Sequence, residues 1–351
     1  MNDDAQSRAA AARAVSDSDE AFFQAIRARM PESSRRVIDR LQRVKSVYVD
    51  CGRDKLLRMA FDRFLESFLA TRNGRRDEAS VFFLTGASGA GKSEAVAHVL
   101  HNHPALQPMA TSFGAILPHV SVKLSGFTLP RLAAGRIIAA AGYPIRHDTK
   151  RGEVWDTMAA RLKARRTFLV HVDETQHLIK QNASQNDRED LANAIKGVSI
   201  DKDWPVAFWL TGLPSVTELP LSDEQFERRG NFVHFPDVAM PDERKLVVRI
   251  LRQLCEAGEI TLGSLPEGDL PERIAHAARY RYARICQVVV AALHEALHGN
   301  ADVLLRDHFA LAYAHHSQAR GHNDMNPFIV DDWARLAPGS FLLRNEEEDG
   351  R

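Results

Sequence analysis

The chain has 351 residues, enough for about two domains, and its 44% hydrophobic and 26% charged content is that of an ordinary globular protein. Its 46 Lys+Arg balance 46 Asp+Glu, which excludes a simple polycation while leaving room for a local basic surface. Three scattered cysteines with no CxxC, and fifteen histidines with neither HExxH nor zinc-ligand spacing, exclude a disulfide scaffold and any legible zinc motif.

The first twenty residues, MNDDAQSRAAAARAVSDSDE, lack the basic start and apolar run of a signal peptide, and no stretch is apolar for long enough to span a bilayer. A soluble, cytoplasmic protein with no membrane partner is the expectation. Residues 1–21 read as a polar, disordered tail. Residues 22–76 read as a helical arm, with Leu56, Leu57, Ala60, Phe61, Phe64, Leu65 and Phe68 at helical spacing. This arm is basic: Gln24 to Arg76 holds 14 Lys/Arg against 6 Asp/Glu.

The texture changes over residues 77–240. Short β-rich runs at 81–85, 119–122, 167–172, 206–210 and 231–235 alternate with helical stretches, which predicts an α/β core with a parallel sheet sandwiched by helices. Residues 241–338 read as a helical lid and C-terminal helices. Leu246, Val247, Ile250, Leu251 and Leu254 mark a first helix with Pro241 in its first turn; a second spans 271–298 and a third about 301–319. Residues 339–351 form an acidic tail. No internal repeat is visible.

The run FFLTGASGAGKS fits G-x-x-x-x-G-K-[ST], with an apolar strand before it and a helical run after it. In that context the loop Gly86, Ala87, Ser88, Gly89, Ala90, Gly91, Lys92, Ser93 and Glu94 is expected to bind a nucleotide. Its backbone amides and the following helix N-terminus face the phosphates. Lys92 reaches the β- and γ-phosphates, and Ser93 offers a hydroxyl to Mg²⁺. The run TFLVHVDETQH ends a strand on Asp173 and Glu174, beside the phosphates at the carboxyl edge of the sheet. Asp173 is the second expected Mg²⁺ ligand. Glu174 is placed to orient and deprotonate water, so the pair favours ATP hydrolysis over transfer to another substrate.

Thr211 ends the strand VAFWLTG, where its hydroxyl could sense the γ-phosphate; a structural threonine is the alternative. Arg228 and Arg229 precede the last strand, and either could act on a neighbouring subunit's γ-phosphate or stay solvated. Arg279, Arg281 and Arg284 offer a second sensor from the lid, with Arg284 favoured because it directly precedes an apolar helix face.

The order of P-loop, Asp-Glu strand, sensor strand, arginine pair and helical lid, over about residues 45 to 300, resembles the AAA+ ATPases. The stretches VSVKLSGFTLPRLAAGRIIAAAGYP, DETQHLI, LTGLPSV and NPFIVDDW further resemble the TniB/TnsC-type transposition regulators. Thr175 and Gln176 depart from that pattern, and no Gly-Asn-type turn precedes the lid arginines. The resemblance implies ATP with Mg²⁺ and a homo-oligomer, ring or helical filament, on duplex DNA. It also implies a transposase or target-selection protein as partner, and disassembly on hydrolysis. Lys123, Lys150 and Arg151 are the candidate contacts to the DNA backbone. No helix-turn-helix or zinc finger is legible, so sequence-tolerant binding is expected. Two alternatives remain open: a DNA-independent signalling or defence switch of STAND-like type, and a helicase-loader- or initiator-like remodelling ATPase.

Overall fold

Strands rich in apolar residues on both sides can be buried only in a sheet covered by helices on both faces. The five β-rich runs form such a sheet in the computed structural model, which describes residues 19–76, 78–112, 114–143, 153–179, 185–221, 230–316 and 323–339. Arg228, Arg229, Lys150, Arg151 and nearly all of both tails lie outside the described residues. The chain divides into two units: Asp50–Val238 with Arg281–Ala283, and Met1–Val49, Ala239–Tyr280 and Arg284–Arg351. The basic arm expected at 22–76 therefore contributes to both.

The α/β unit begins with the helix Gly52–Leu69. A hairpin follows, pairing β1 (Thr71–Arg72) with β2 (Arg75–Arg76) where the sequence pattern had suggested continued helix. Asn73 and Gly74, both in left-handed backbone, make its turn; Asn-Gly is a strong hairpin signal. Beyond it lie β3 (Val81–Gly86), a small hairpin of β4 (Met109–Thr111) and β5 (Gly114–Ile116), then β6 (His119–Lys123), β7 (Leu169–Asp173), β8 (Ala207–Gly212) and β9 (Gly230–Phe235). The main sheet is parallel in the order β6-β7-β8-β3-β9, and its strands match the expected runs to within two residues.

Side chains alternate between two cores, as the pleat requires. Phe82, Leu84, Leu169 and Trp209 meet the helices Gly52–Leu69 and Lys92–Asn102 on one face. Phe83, Val170, Val172, Phe208 and Leu210 meet Pro130–Ala140, Met158–Ala164 and Gln185–Ser199 on the other. Phe61 sits in the first core with ring centroids 4.5 Å from Trp209 and 5.8 Å from Phe82. The apolar stripe of the arm is thus one wall of the sheet's core, and its burial there anchors the helix whose first turn carries Arg53.

In the helical unit, residues 19–28 and Glu32–Lys45 are helical, followed after the sheet by Arg244–Ala257, Leu270–Ala277, the part of Tyr282–His298 from Arg284 onward, and Arg306–His316. Pro241 lies in the turn ahead of its helix rather than within it, after a cis Met240–Pro241 bond. The single helix expected over 271–298 is two, because Arg279 and Tyr280 adopt φ of 54° and 58°, which a right-handed helix cannot continue. Two arm arginines close the end of Arg244–Ala257. Arg40 donates to the carbonyls of Gly258 (2.8 Å) and Glu259 (2.6 Å), and Arg43 to that of Ala257 (3.4 Å), satisfying acceptors a helix C-terminus leaves open. Buried Arg273 donates to the carbonyls of Pro327 and Val330, both at 2.6 Å, and buried Asn326 to that of Ala310 at 2.9 Å, pinning the NPFIVDDW segment. Among the described residues no helix is long and apolar enough to cross a membrane.

Candidate functional site

β3 delivers the Gly-rich loop to the carboxyl edge of the sheet, and the helix Lys92–Asn102 starts directly from it. Gly91 is the N-cap at φ 89°, and a Cβ there would stand 3.1 Å from the Arg53 guanidinium, so both conformation and space demand glycine. No side chain caps this helix, which leaves its first amides free to face an anion. Lys92 is buried and folds back on the loop, its Nζ donating to the carbonyls of Gly86 (2.8 Å) and Ala87 (3.0 Å). Burial lowers its pKa, opposed by the nearby charges of Glu174 and Asp173 and reinforced by Arg281. The loop lysine and both strand-end acids therefore share one electrostatic neighbourhood.

The outside of the loop is tied down at three successive carbonyls. Ser88 accepts from Arg281 Nη1 (3.0 Å), Gly89 from the Ala283 amide (3.0 Å) and Ala90 from Arg53 Nη1 (2.5 Å). The Arg53 guanidinium lies 3.7 Å from the Tyr282 ring centroid and 4.7 Å from that of Phe235. These three bonds hold the loop from the side of its carbonyls, while the Ala90 amide closes a turn on the Ala87 carbonyl at 3.1 Å. Arg281 is thus the lid arginine on the loop within this unit, whereas Arg279 and the favoured Arg284 belong to the helical unit. Ser93 is half-buried and Glu94 exposed.

β7 ends on Asp173, a residue only 4% exposed whose carboxylate accepts the Glu174 amide at 3.0 Å. Lys123 is the register partner of Asp173 at the end of β6 and is exposed. Glu174 has φ 57°, a left-handed conformation that turns the chain sharply out of the strand. Gln176 holds its carboxylate: Nε2 donates to Glu174 Oε2, while Oε1 accepts the Leu213 amide at 3.2 Å. That second bond fixes which way the amide faces, and it joins the acid to the end of β8.

Thr211 is fully buried on β8 with its hydroxyl 3.1 Å from His171 Nε2. His171 lies two residues before Asp173, and its Nδ1 is 2.8 Å from Ser121 Oγ on β6. Burial holds this imidazole well below its ordinary pKa, against the opposing pull of Asp173. One residue beyond Thr211, Gly212 leaves room for Gln176. A Cβ at 212 would collide with Gln176 Oε1 and lie 2.7 Å from Val216. Gly212→Ala is therefore expected to cost about 1–3 kcal/mol, since overpacking displaces a bonded side chain. Urea unfolding of variant and parent compares the two, and equal midpoints would remove this crowding from the account.

Sequence reasoning missed Arg53, His171 and Gln176. A histidine inside an apolar strand and a glutamine two residues past the acidic pair were readable signals for the last two. Nothing in the sequence points from the first turn of Gly52–Leu69 to the loop.

A family model described as an AAA domain (AAA_22) matches residues 75–219, the stretch that holds the loop, the acidic pair and Thr211. The chain is similar to the solved Aeropyrum pernix ORC1 protein in complex with DNA, at 19% identity and a TM-score of 0.56, covering 80% of this chain and 70% of that one. It is similar to Cdc6p from Pyrobaculum aerophilum at 14% identity and TM-score 0.53, covering 77% and 69%. The Aeropyrum pernix ORC2 protein in its ADP form matches at 16% and 0.52, covering 76% and 69%. No curated protein matches the sequence significantly. The fold is that of an AAA+ P-loop nucleotide-binding protein, a parallel sheet flanked by helices.

Proposed function

We propose that the chain is an ATP-hydrolysing AAA+ switch that assembles on duplex DNA without sequence preference and regulates transposition. The observation that carries the nucleotide half is the gathering of Lys92, Asp173 and Glu174 around an uncapped helix N-terminus. Uncapped amides and a lysine that, among the described residues, hydrogen-bonds to its own loop's carbonyls suit a polyphosphate. The buried Asp173 carboxylate and the half-buried Ser93 hydroxyl are hard oxygen donors that suit Mg²⁺ and would hold it. Bound there, the ion supplies neutralisation of charge on the β- and γ-phosphates. Lys92 exchanges the carbonyls of Gly86 and Ala87 for phosphate oxygens. Glu174, held by Gln176, takes the proton of the attacking water, and Thr211 donates to the γ-phosphate or that water. A neighbouring subunit supplies Arg228 or Arg229, making assembly depend on the triphosphate.

Two things support the DNA half: the resemblance of several stretches to TniB/TnsC-type regulators, and the fold shared with an ORC1 protein solved in complex with DNA. Lys123, Lys150 and Arg151 are the proposed phosphate contacts. The same ORC1 and Cdc6p likeness favours a second reading, an initiator- or helicase-loader-like ATPase that remodels another protein.

Random-sequence duplex DNA is expected to bind the chain with a non-hydrolysable ATP analogue far better than with ADP, in filaments or rings visible by electron microscopy. Affinity should fall with salt, by about 0.9 in log K per log unit of salt for each phosphate contact. Failure to bind DNA in any nucleotide state sinks the DNA half, and oligomers indifferent to DNA would favour a signalling switch. Capture of a transposase by the analogue-bound form supports the transposition reading, and capture of a helicase instead supports the loader-like one.

A further inference from the structure

Polar side chains inside a sheet are costly unless paired, at about 1–3 kcal/mol for each group left unsatisfied. The face of the main sheet that carries the loop helix nevertheless holds a line of three: Ser121 on β6, His171 on β7 and Thr211 on β8. Ser121 and His171 are register partners. His171 is also paired with Trp209, and Thr211 stands two residues further along the same face of β8. The distances are 2.8 Å from Ser121 Oγ to Nδ1 and 3.1 Å from Nε2 to Thr211 Oγ1. The Trp209 ring stands nearly edge-on to the imidazole at 5.9 Å, fixing its plane. Asp173, two residues beyond His171, shares this face, so the line runs directly beneath the proposed Mg²⁺ ligand.

We propose that His171 is a positioning residue for hydrolysis: its Nε2–H donates to Thr211 Oγ1, and its Nδ1 accepts the hydroxyl proton of Ser121. The inference rests on the ATPase reading with Thr211 as the sensor. A neutral imidazole carries one N–H, so the direction of the whole chain follows from where that proton sits. With it on Nε2, Thr211 accepts from the ring and keeps its own proton to give to a γ-phosphate oxygen or the attacking water. With it on Nδ1, Thr211 spends its proton on the ring and presents only lone pairs to an anion. Ser121 suits the donor role, because it lies on the edge strand with its side exposed, where water can serve its acceptor positions. His171 itself never meets the nucleotide. It sets what Thr211 can offer.

Two measurements decide the matter. Histidine ¹⁵N NMR of the wild-type protein, with the His171 signal identified by its loss in His171→Gln, is expected to show the Nε2-protonated tautomer. A dominant Nδ1-protonated ring overturns the proposal, whatever the activity. In kinetics, His171→Phe keeps a ring of similar size and removes both polar atoms. It should lower kcat for ATP about tenfold with nucleotide affinity unchanged, the signature of a misaligned group. His171→Gln, whose amide N–H can stand near the Nε2 position, should recover to within about threefold of wild type. A packing role predicts the reverse order, phenylalanine tolerated and glutamine damaging, and that order rejects the relay. Wild-type protein that binds ATP but never hydrolyses it rejects the ATPase reading itself. Normal turnover in both wild type and His171→Phe rejects only His171.

Discussion

Replacing Lys92 by alanine should weaken nucleotide binding by at least about a hundredfold, equivalent to about 2.7 kcal/mol. The ammonium is buried, its pKa is depressed by desolvation, and among the described residues its hydrogen bonds go to the Gly86 and Ala87 carbonyls of its own loop. A cation held this way gains strongly from a phosphate dianion, because low exposure leaves little water to screen the attraction. Alanine removes that charge and leaves two loop carbonyls without a donor. The rest of the loop stays tied by Arg53, Arg281 and Ala283 at Ala90, Ser88 and Gly89, so the fold itself should survive. Isothermal titration with ATP and an unfolding curve on the same sample test both parts. An unchanged dissociation constant would place the nucleotide elsewhere.

The features legible in the sequence were those set by local chemistry. Short β-rich runs located all five strands of the main sheet, since strands covered on both faces read as near-continuous apolar stretches. The loop and the acidic pair were legible because their spacing is fixed by the geometry of a strand turning into a helix. Features that depend on where the chain returns were not. The stripe Leu57, Phe61, Phe64 and Leu65 announced a helix but not that it walls the core of the sheet against Trp209. The break at Arg279 and Tyr280 was hidden because neither is a glycine or proline, the residues that usually mark such a stop.

The charge of the arm shows the same limit. Its surplus of basic residues suggested a surface for an anionic partner, yet several of those arginines have intramolecular work. Arg40 and Arg43 close a helix end, Arg27 pairs with Asp39, Arg58 with Asp50, and Arg53 holds the loop. An arginine count measures available charge. Only partners in three dimensions decide how much of it remains for DNA.

Glu174→Gln should separate binding from chemistry. Its amide oxygen can still accept from Gln176 Nε2, so the side chain keeps its place against β8, and the left-handed backbone at 174 is as accessible to glutamine as to glutamate. What disappears is the basic oxygen proposed to take a proton from water. General-base removal typically costs about 10²- to 10⁴-fold in rate. Hydrolysis should therefore fall by roughly that factor while ATP affinity stays near the parent value, since Lys92 and the loop amides are untouched. Because release of the assembled state is proposed to need hydrolysis, the variant should stay on DNA with ATP as the parent does only with a non-hydrolysable analogue. Phosphate release and DNA dissociation measured side by side give the answer. A variant that turns over ATP at the parental rate would mean that another group activates the water, and one that hydrolyses slowly yet leaves DNA normally would detach the switch from the ATPase.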